Sequence, residues 1–377
     1  MIIKTIVSLL IAPILFISQI FNTNSELVYT APEQEYSVVK EILHDKSTSS
    51  PETVVKNPEI PEIKKKTLTP NTASQKKPEE IIAPKEVVPA STPIETPVDF
   101  EKINTDARKT TINILCTTKY GDLSPISGTG VIISSNGLVL TNAHIGQYFL
   151  LKDFREKDYL KCVGRTGSPA YPKYNLELVY ISQNWVRANK SLLKEQNPKG
   201  TGEDDFAFLR ITGNIDESNN QLKSFIEPNV RELINIGEPV LLASYPAGFL
   251  GGLSILRDLN ITSSITNIQD IYTFKDGTID VISVGGTVVS QKGSSGGLVV
   301  DKNTSLIGII TTSSDGNTTS SRGLNAITLG YINRTLQKEL GKNMREFLEL
   351  DHEKYAKEFS ISLGVELSKL ITDELAR

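Results

Sequence analysis

The sequence predicts an all-β domain of antiparallel strands, preceded by an unstructured arm and followed by a helical tail. Three observations carry this reading. From about Asp99 to Leu336, short β-rich runs follow one another with turn residues between them and no long alternating helices. Before that region, residues 46–98 hold nine of the eighteen prolines among Lys, Glu, Thr and Ser, with no Gly and no aromatic residue. After it, Phe347, Leu348, Tyr355, Phe359, Leu363, Leu367 and Leu370 recur at the three-to-four spacing of one helix face.

Residues 1–24 read as a targeting segment. Lys4 and Thr5 precede the apolar run from Ile6 to Phe21, IVSLLIAPILFISQIF. The run is short for a membrane span of about 20 apolar residues, and Pro13, Ser18 and Gln19 weaken it further. It fits the apolar core of a secretory signal, yet no small-x-small cleavage site follows. Export to the cell envelope or beyond is therefore expected, with the segment either cleaved or kept as a transmembrane anchor. Residues 25–98 form a linker. Residues 26–45 suit a short amphipathic helix, and the Pro-rich stretch buries too little apolar surface to offset its ordering entropy, so a disordered spacer is expected.

The β-rich region, 99–336, includes TINILCTT (111–118), GTGVIISS (128–135), LVLTNA (138–143), LELVYIS (176–182), DFAFLRIT (205–212) and PVLLASY (239–245). LSILRDLNIT (253–262), TIDVISVG (278–285), GGLVVD (296–301) and LIGIITT (306–312) continue the series. Asn-Gly at 136–137 and Asp-Gly at 276–277 and 315–316 stand where tight hairpins need them. The stretch 146–160 breaks the pattern and reads as helical or irregular. The tail, 337–377, must lay its apolar face on the domain or on a second copy, so self-association through these helices is one expectation.

A net charge of −4 excludes an electrostatic nucleic-acid binder, and the KKK run at 64–66 is too small to change that. Cys116 and Cys162 are the two cysteines. In an exported chain they are either a disulfide, worth about 3–4 kcal/mol, or two separate buried thiols. Two cysteines and one histidine in the domain cannot fill a zinc shell without carboxylates, so neither a metal nor another cofactor is expected.

Three motifs carry chemistry, in the order TNAHI with His144, EDDFAFL with Asp204 and Asp205, and KGSSGG with Ser295. The other histidines, His44 and His352, lie near the ends, so an imidazole base in the domain can only be His144. SGTGVIISSNGLVLTNAHI (127–145) resembles the hairpin that leads to the catalytic histidine in trypsin-like serine proteases of the bacterial HtrA type. KGSSGGLVVDKNTSLIGIITT (292–312) resembles their nucleophile block and the following strand pair, and DFAFLRI their Asp-Ile-Ala-Leu-Leu run. The resemblance spans about 99–336 and implies a chymotrypsin-like fold of two antiparallel six-stranded β-barrels. It also implies serine-type endopeptidase activity on protein or peptide substrates. His–Asp–Ser is the chain order of that triad, with His144 as base, Asp205 as its orienting acid and Ser295 as nucleophile. The N–H groups of Gly293 and Ser295 would form the oxyanion hole.

The chain departs from this family in three places. Leu298 replaces the proline that usually follows the Gly-Gly pair. Ser294 stands where members activated by a freed N-terminus carry aspartate, which speaks against that activation and leaves the oxyanion loop to be held another way. Residues 337–377 are too few for the PDZ domain that usually follows. The resemblance puts Val289 at the base of the primary pocket and Thr311, Thr312 and Ser313 on its opposing wall. With no Asp or Glu from Gly285 to Val300, small or medium apolar side chains are expected before the cut. The alternatives are a non-catalytic peptide- or envelope-binding module on the same fold, and a hydrolase acting on esters.

Overall fold

The computed structural model describes residues 98–121, 123–195, 200–216, 224–248, 250–275, 277–313 and 323–377, with 312 and 313 described by their backbone alone. The targeting segment, the spacer and the Asp-Gly pair at 315–316 lie outside the described residues. Among those described, no helix is long and apolar enough to cross a membrane.

The first sheet is a closed barrel. Its strands are β1 (Thr111–Thr118), β2 (Ile126–Ile132), β3 (Leu138–Thr141), β4 (Leu160–Thr166), β5 (Tyr171–Ile181) and β6 (Ala207–Asn214). They close in the order β1-β2-β3-β6-β5-β4, every pair antiparallel. Gly137, at φ +83°, turns the β2–β3 hairpin at the expected Asn-Gly pair. On β1 and β4, Cys116 and Cys162 face each other directly and are joined as a disulfide.

The second sheet comprises β7 (Pro239–Ser244), β8 (Thr262–Asn267), β9 (Asp270–Tyr272), β10 (Val281–Ser283), β11 (Leu298–Val300), β12 (Leu306–Ser313) and β13 (Leu324–Thr328). Its order is β8-β7-β11-β12-β13-β10-β9, antiparallel throughout. The fold is thus chymotrypsin-like, with one six-stranded barrel and one seven-stranded half-barrel. The second sheet buries its own cluster, including Val240, Leu242, Val299 and Ile310.

Helices also stand within the β-rich region, and one of them replaces the first half of an expected strand run, 253–262. Helix α1 (Phe100–Thr110) begins where Asp99 accepts from Lys102 N at 3.0 Å and ends with Arg108 and Lys109. Ile103, Ala107 and Thr110 form its buried face, which packs on β7 and β8. Residues 143–146 and 183–189 form the short helices α2 (Ala143–Gly146) and α3 (Gln183–Asn189). In the run 253–262, Gly252–Arg257 folds as α4. Its last carbonyls, those of Ile255 and Leu256, accept from Arg165 Nη1 at 3.0 and 3.2 Å. A cation at the helix C-terminus satisfies groups that a strand would have had to pair.

The tail is part of the domain core. Helix α5 (Leu329–Leu340) packs on β12 and β13 of the second sheet, while α6 (Met344–Leu348), α7 (His352–Ile361) and α8 (Leu363–Leu375) cover the first barrel. Phe347 is fully buried, with ring centres 4.6 Å from Phe208 and 6.2 Å from Tyr180. Leu367 and Ile371 are buried in the same cluster, and Ser368 Oγ donates to Leu150 O at 2.7 Å. The Glu339 carboxylate accepts from the hydroxyls of Tyr180 and Ser182, the latter at 2.9 Å. The apolar stripe read in the sequence therefore has its partner within the same chain.

Candidate active site

Strand register brings the histidine and the acid together. Thr141, at the end of β3, pairs with Ala207, at the start of β6. The chain beyond Thr141 and the chain before Ala207 therefore leave the barrel at the same end. His144 lies on α2 just past β3, and Asp205 lies two residues before β6. Asn142 ties the two runs by donating its Nδ2 to Asp205 O at 2.9 Å.

The Asp205 carboxylate is buried and receives three donors. His144 N reaches Oδ1 at 3.0 Å, while His144 Nδ1 and Thr311 Oγ1 reach Oδ2 at 2.9 and 2.8 Å. An ionised carboxylate only accepts, so the proton belongs on Nδ1, which leaves Nε2 with a free lone pair. Burial opposes ionisation of both groups. For His144 the charge and hydrogen bond of Asp205 outweigh it and hold the imidazole above its ordinary value. For Asp205 burial pushes upward, but the His144 charge and the donated hydrogen bonds win and hold the carboxyl low. His144 keeps 29 % of its side chain open to solvent, whereas Asp205 keeps 6 %. A substrate can therefore meet the imidazole and not the acid.

Ser295 stands in a turn leading into β11, beside β12. Its Oγ donates to Thr311 O at 3.5 Å, and no hydrogen bond joins it to His144 among the described residues. Thr311 contacts Ser295 through its carbonyl and Asp205 through its hydroxyl, so one residue gathers both into a single site.

The turn around Ser295 is held from several sides. Lys292 O accepts from Ala247 N at 2.7 Å, and Gly293 O accepts from Thr129 Oγ1 at 2.8 Å. Thr129 Oγ1 also accepts from Tyr245 N at 3.0 Å, and Thr129 N donates to Ser295 O at 2.8 Å. Ser294, where aspartate was the alternative, is buried and accepts from Ser244 Oγ at 3.0 Å. Gly293 has φ +92° and Gly296 φ +81°, and a Cβ on Gly296 would lie 1.9 Å from Thr129 O. Only glycine fits there. The N–H groups of Gly293 and Ser295 donate to no protein acceptor among the described residues, whereas Ser294 N donates to Gln291 O and Gly296 N to Ile310 O.

Residues 128–309 match the family model described as a trypsin-like peptidase domain. The chain carries a trypsin-like peptidase domain. No curated protein matches the chain. Among solved structures, the active form of the Rv3671c protease from M. tuberculosis aligns at 16 % identity and TM-score 0.41, over 69 % of this chain and 92 % of that one. A serine endoprotease from Yersinia pestis aligns at 19 % identity and TM-score 0.41, over 65 % of this chain and 67 % of that one. Deg5 aligns at 14 % identity and TM-score 0.41, over 63 % and 93 %.

The pocket residues expected from the sequence are placed differently from the triad candidates. Val289 is fully buried in the core of the half-barrel. Thr311, expected on the pocket wall, turns its hydroxyl onto Asp205. The side chains of Thr312 and Ser313 lie outside the described residues. The sequence reading missed Thr129 as the strut of the Gly293 turn and Thr311 as the third donor to Asp205. Each is a hydroxyl inside an apolar strand, which is the one sequence signal that marks it. Among the described residues no cluster of His, Cys, Asp and Glu suits a metal ion.

Proposed function

We propose that this trypsin-like peptidase is an exported serine endopeptidase working through a covalent acyl-enzyme. Ser295 Oγ turns from Thr311 O toward His144, gives its proton to Nε2, and forms a bond to the substrate carbonyl carbon. The carbonyl π electrons move to oxygen, where the Gly293 and Ser295 N–H groups stabilise the charge. The intermediate collapses, the C–N bond breaks, and His144 returns the proton to the leaving amine. Water then repeats the sequence on the acyl-serine, with His144 again as base. Asp205 fixes the tautomer and offsets the imidazolium charge without taking the proton.

The observation that carries this reading is the hold of one buried carboxylate on His144, through both its backbone N–H and its Nδ1. A histidine kept for structure alone does not need its ring oriented by a buried, ionised acid beside a serine in a glycine-framed turn. Residues 285–300 hold no acid, which supports a non-basic preference before the cut. The Cys116–Cys162 disulfide supports an oxidising compartment, and with the apolar run at 6–21 it supports export and a membrane-proximal location.

The test is labelling with a fluorophosphonate probe, together with hydrolysis of unfolded casein. The wild type should label and cleave, and Ser295→Ala should do neither while melting at the same temperature. Asp205→Asn should retain residual activity, with a loss on the order of 10⁴ in turnover from the wrong tautomer. A folded wild type that takes no Ser295-dependent label would refute catalysis and favour the binding module. Labelling with ester turnover but no peptide cleavage would favour the esterase.

A further inference from the structure

Asp204, the residue before the proposed acid, has φ +56°, a left-handed conformation that is costly for a residue with a side chain. Its carboxylate and its backbone N–H end on the same group. Tyr331 Oη donates to Asp204 Oδ1 at 2.6 Å and accepts from Asp204 N at 3.1 Å. Thr335, one turn further along α5, brings its hydroxyl to the same Oδ1 at 3.5 Å. Tyr331 is fixed in its turn. It is nearly buried, its N–H donates to Thr328 Oγ1 at 3.0 Å, and its ring meets Phe274 edge-on at 5.0 Å.

The clamp holds the start of a tight turn. Phe206 N donates to Asp204 O at 2.8 Å and Asp205 N to Gly202 O at 3.2 Å. These two bonds, with Asn142 Nδ2 on Asp205 O, set the direction in which the Asp205 carboxylate leaves the chain, and among the described residues no side chain of the first barrel holds Asp204. We infer that Tyr331 is a positioning residue: from the start of α5 it pins Asp204, and through that turn it aims the Asp205 carboxylate at His144. The inference rests on the reading of Asp205 as the acid of the triad.

Burial, with Asp204 as acceptor, raises the Tyr331 phenol far above its ordinary value, so it remains a donor across the working pH range. Among the described residues Tyr180, on β5, and Glu339, on α5, also feel Asp204, and their side chains are bonded to each other. Asp205 is the charged group that raises His144. Loosening the clamp should therefore appear as a change in His144 titration.

The experiment measures kcat, KM and the pH profile on a p-nitrophenyl ester for Tyr331→Phe, Asp204→Ala, the double variant, Asp204→Asn and Asp205→Asn, with melting curves for each. Tyr331→Phe should lower kcat about tenfold with KM within about twofold, the equivalent of about 1.4 kcal/mol in the barrier. The acid limb should move to lower pH, because a misaimed Asp205 supports the imidazolium less. Asp204→Ala should lose as much, and the double variant no more than either single change, since both break one contact. Asp204→Asn tolerates the left-handed turn and still offers an oxygen, so it should keep its kcat within about twofold.

Additive losses would overturn the inference, as would a wild-type kcat and pH limb in Tyr331→Phe beside a crippled Asp205→Asn. Should Tyr331→Phe fold poorly, a loss in Asp204→Asn equal to that in Asp204→Ala overturns it independently. If Asp205→Asn itself is silent, the triad reading fails first and the inference falls with it.

Discussion

Thr129 offers the sharpest test of how the nucleophile turn is held. Its hydroxyl lies between the two halves of the domain, donating to Gly293 O at 2.8 Å and accepting from Tyr245 N at 3.0 Å, and the residue is fully buried. Thr129→Val keeps the shape and removes the oxygen, which leaves the buried Tyr245 N–H and the half-buried Gly293 carbonyl unpaired. At about 1–3 kcal/mol each, the cost is about 2–6 kcal/mol if nothing moves. Gly293 offers a cheaper outcome. It has no side chain to hold φ +92°, and its peptide planes are anchored by Ala247 N on Lys292 O, by Thr129 on Gly293 O and, more loosely at 3.2 Å, by Ser294 N on Gln291 O. With the second anchor gone the turn can relax, and the Gly293 N–H no longer aims at the developing oxyanion. One such donor is worth about 2.7–4 kcal/mol in the barrier. Thr129→Val should therefore lower kcat on the order of 10²-fold, slow fluorophosphonate labelling similarly, and leave KM nearly unchanged, with a modest fall in melting temperature. Thr129→Ser restores the oxygen and should stay near wild type. A Val variant with kcat within about threefold of wild type would show that the turn does not depend on this strut, and the reasoning would fail.

Three further outcomes are expected. Activity should rise with pH along a limb above about 6.5, because the base must be neutral and Asp205 holds the His144 imidazole above its ordinary value; a flat profile from about pH 5 to 8 speaks against an imidazole base. Phe347→Ala should cost about 3–5 kcal/mol of stability by emptying a fully buried ring site between Phe208 and Tyr180, read as a large drop in denaturation midpoint, and an unchanged midpoint would mean the tail is not part of the folded core. Cys116→Ala combined with Cys162→Ala removes a cross-link closing a 46-residue separation and should cost about 3–4 kcal/mol; equal stability with and without reductant in the wild type would contradict that.

The strands of the first barrel were legible where their pattern is set by burial alone. TINILCTT is β1 to the residue, its β-branched run lying between turn signals and buried at six consecutive positions, and the Asn-Gly hairpin stands where it was expected. Helices α1 and α4 were not legible as helices. Helix α1 carries local end signals, Asp99 before it and Arg108 and Lys109 in its last turn, but its buried face needs the sheet, whereas α4 is only six residues long and its carbonyls are met by the distant Arg165. Strands β8 and β9 are exposed edges with little apolar pattern, so the seventh strand of the second sheet had no signal to announce it. The tail showed its stripe clearly but not its partner, since an amphipathic face fits a neighbouring barrel and a second copy equally well.

The site divides along the same line. His144, Asp205 and Ser295 could be proposed from the sequence because each stands in a motif whose chemistry constrains its neighbours: glycines around the serine, an apolar strand after the acid, and a strand end before the histidine. The residues that orient them could not, because positioning needs only a hydroxyl at the right place in three dimensions. Thr129, Thr311 and Tyr331 come from β2, β12 and α5, and each meets the machinery across more than 100 residues of chain. Ser294 shows what that arrangement achieves. An aspartate there would need a cation to pair with, and its burial would be costly without one. A buried serine bonded to Ser244, with Thr129 and Ala247 anchoring the adjoining peptides, leaves no charge to neutralise. The turn that presents the Gly293 and Ser295 N–H groups is therefore held by neutral hydrogen bonds already in place, and its order should not depend on a newly freed amino terminus.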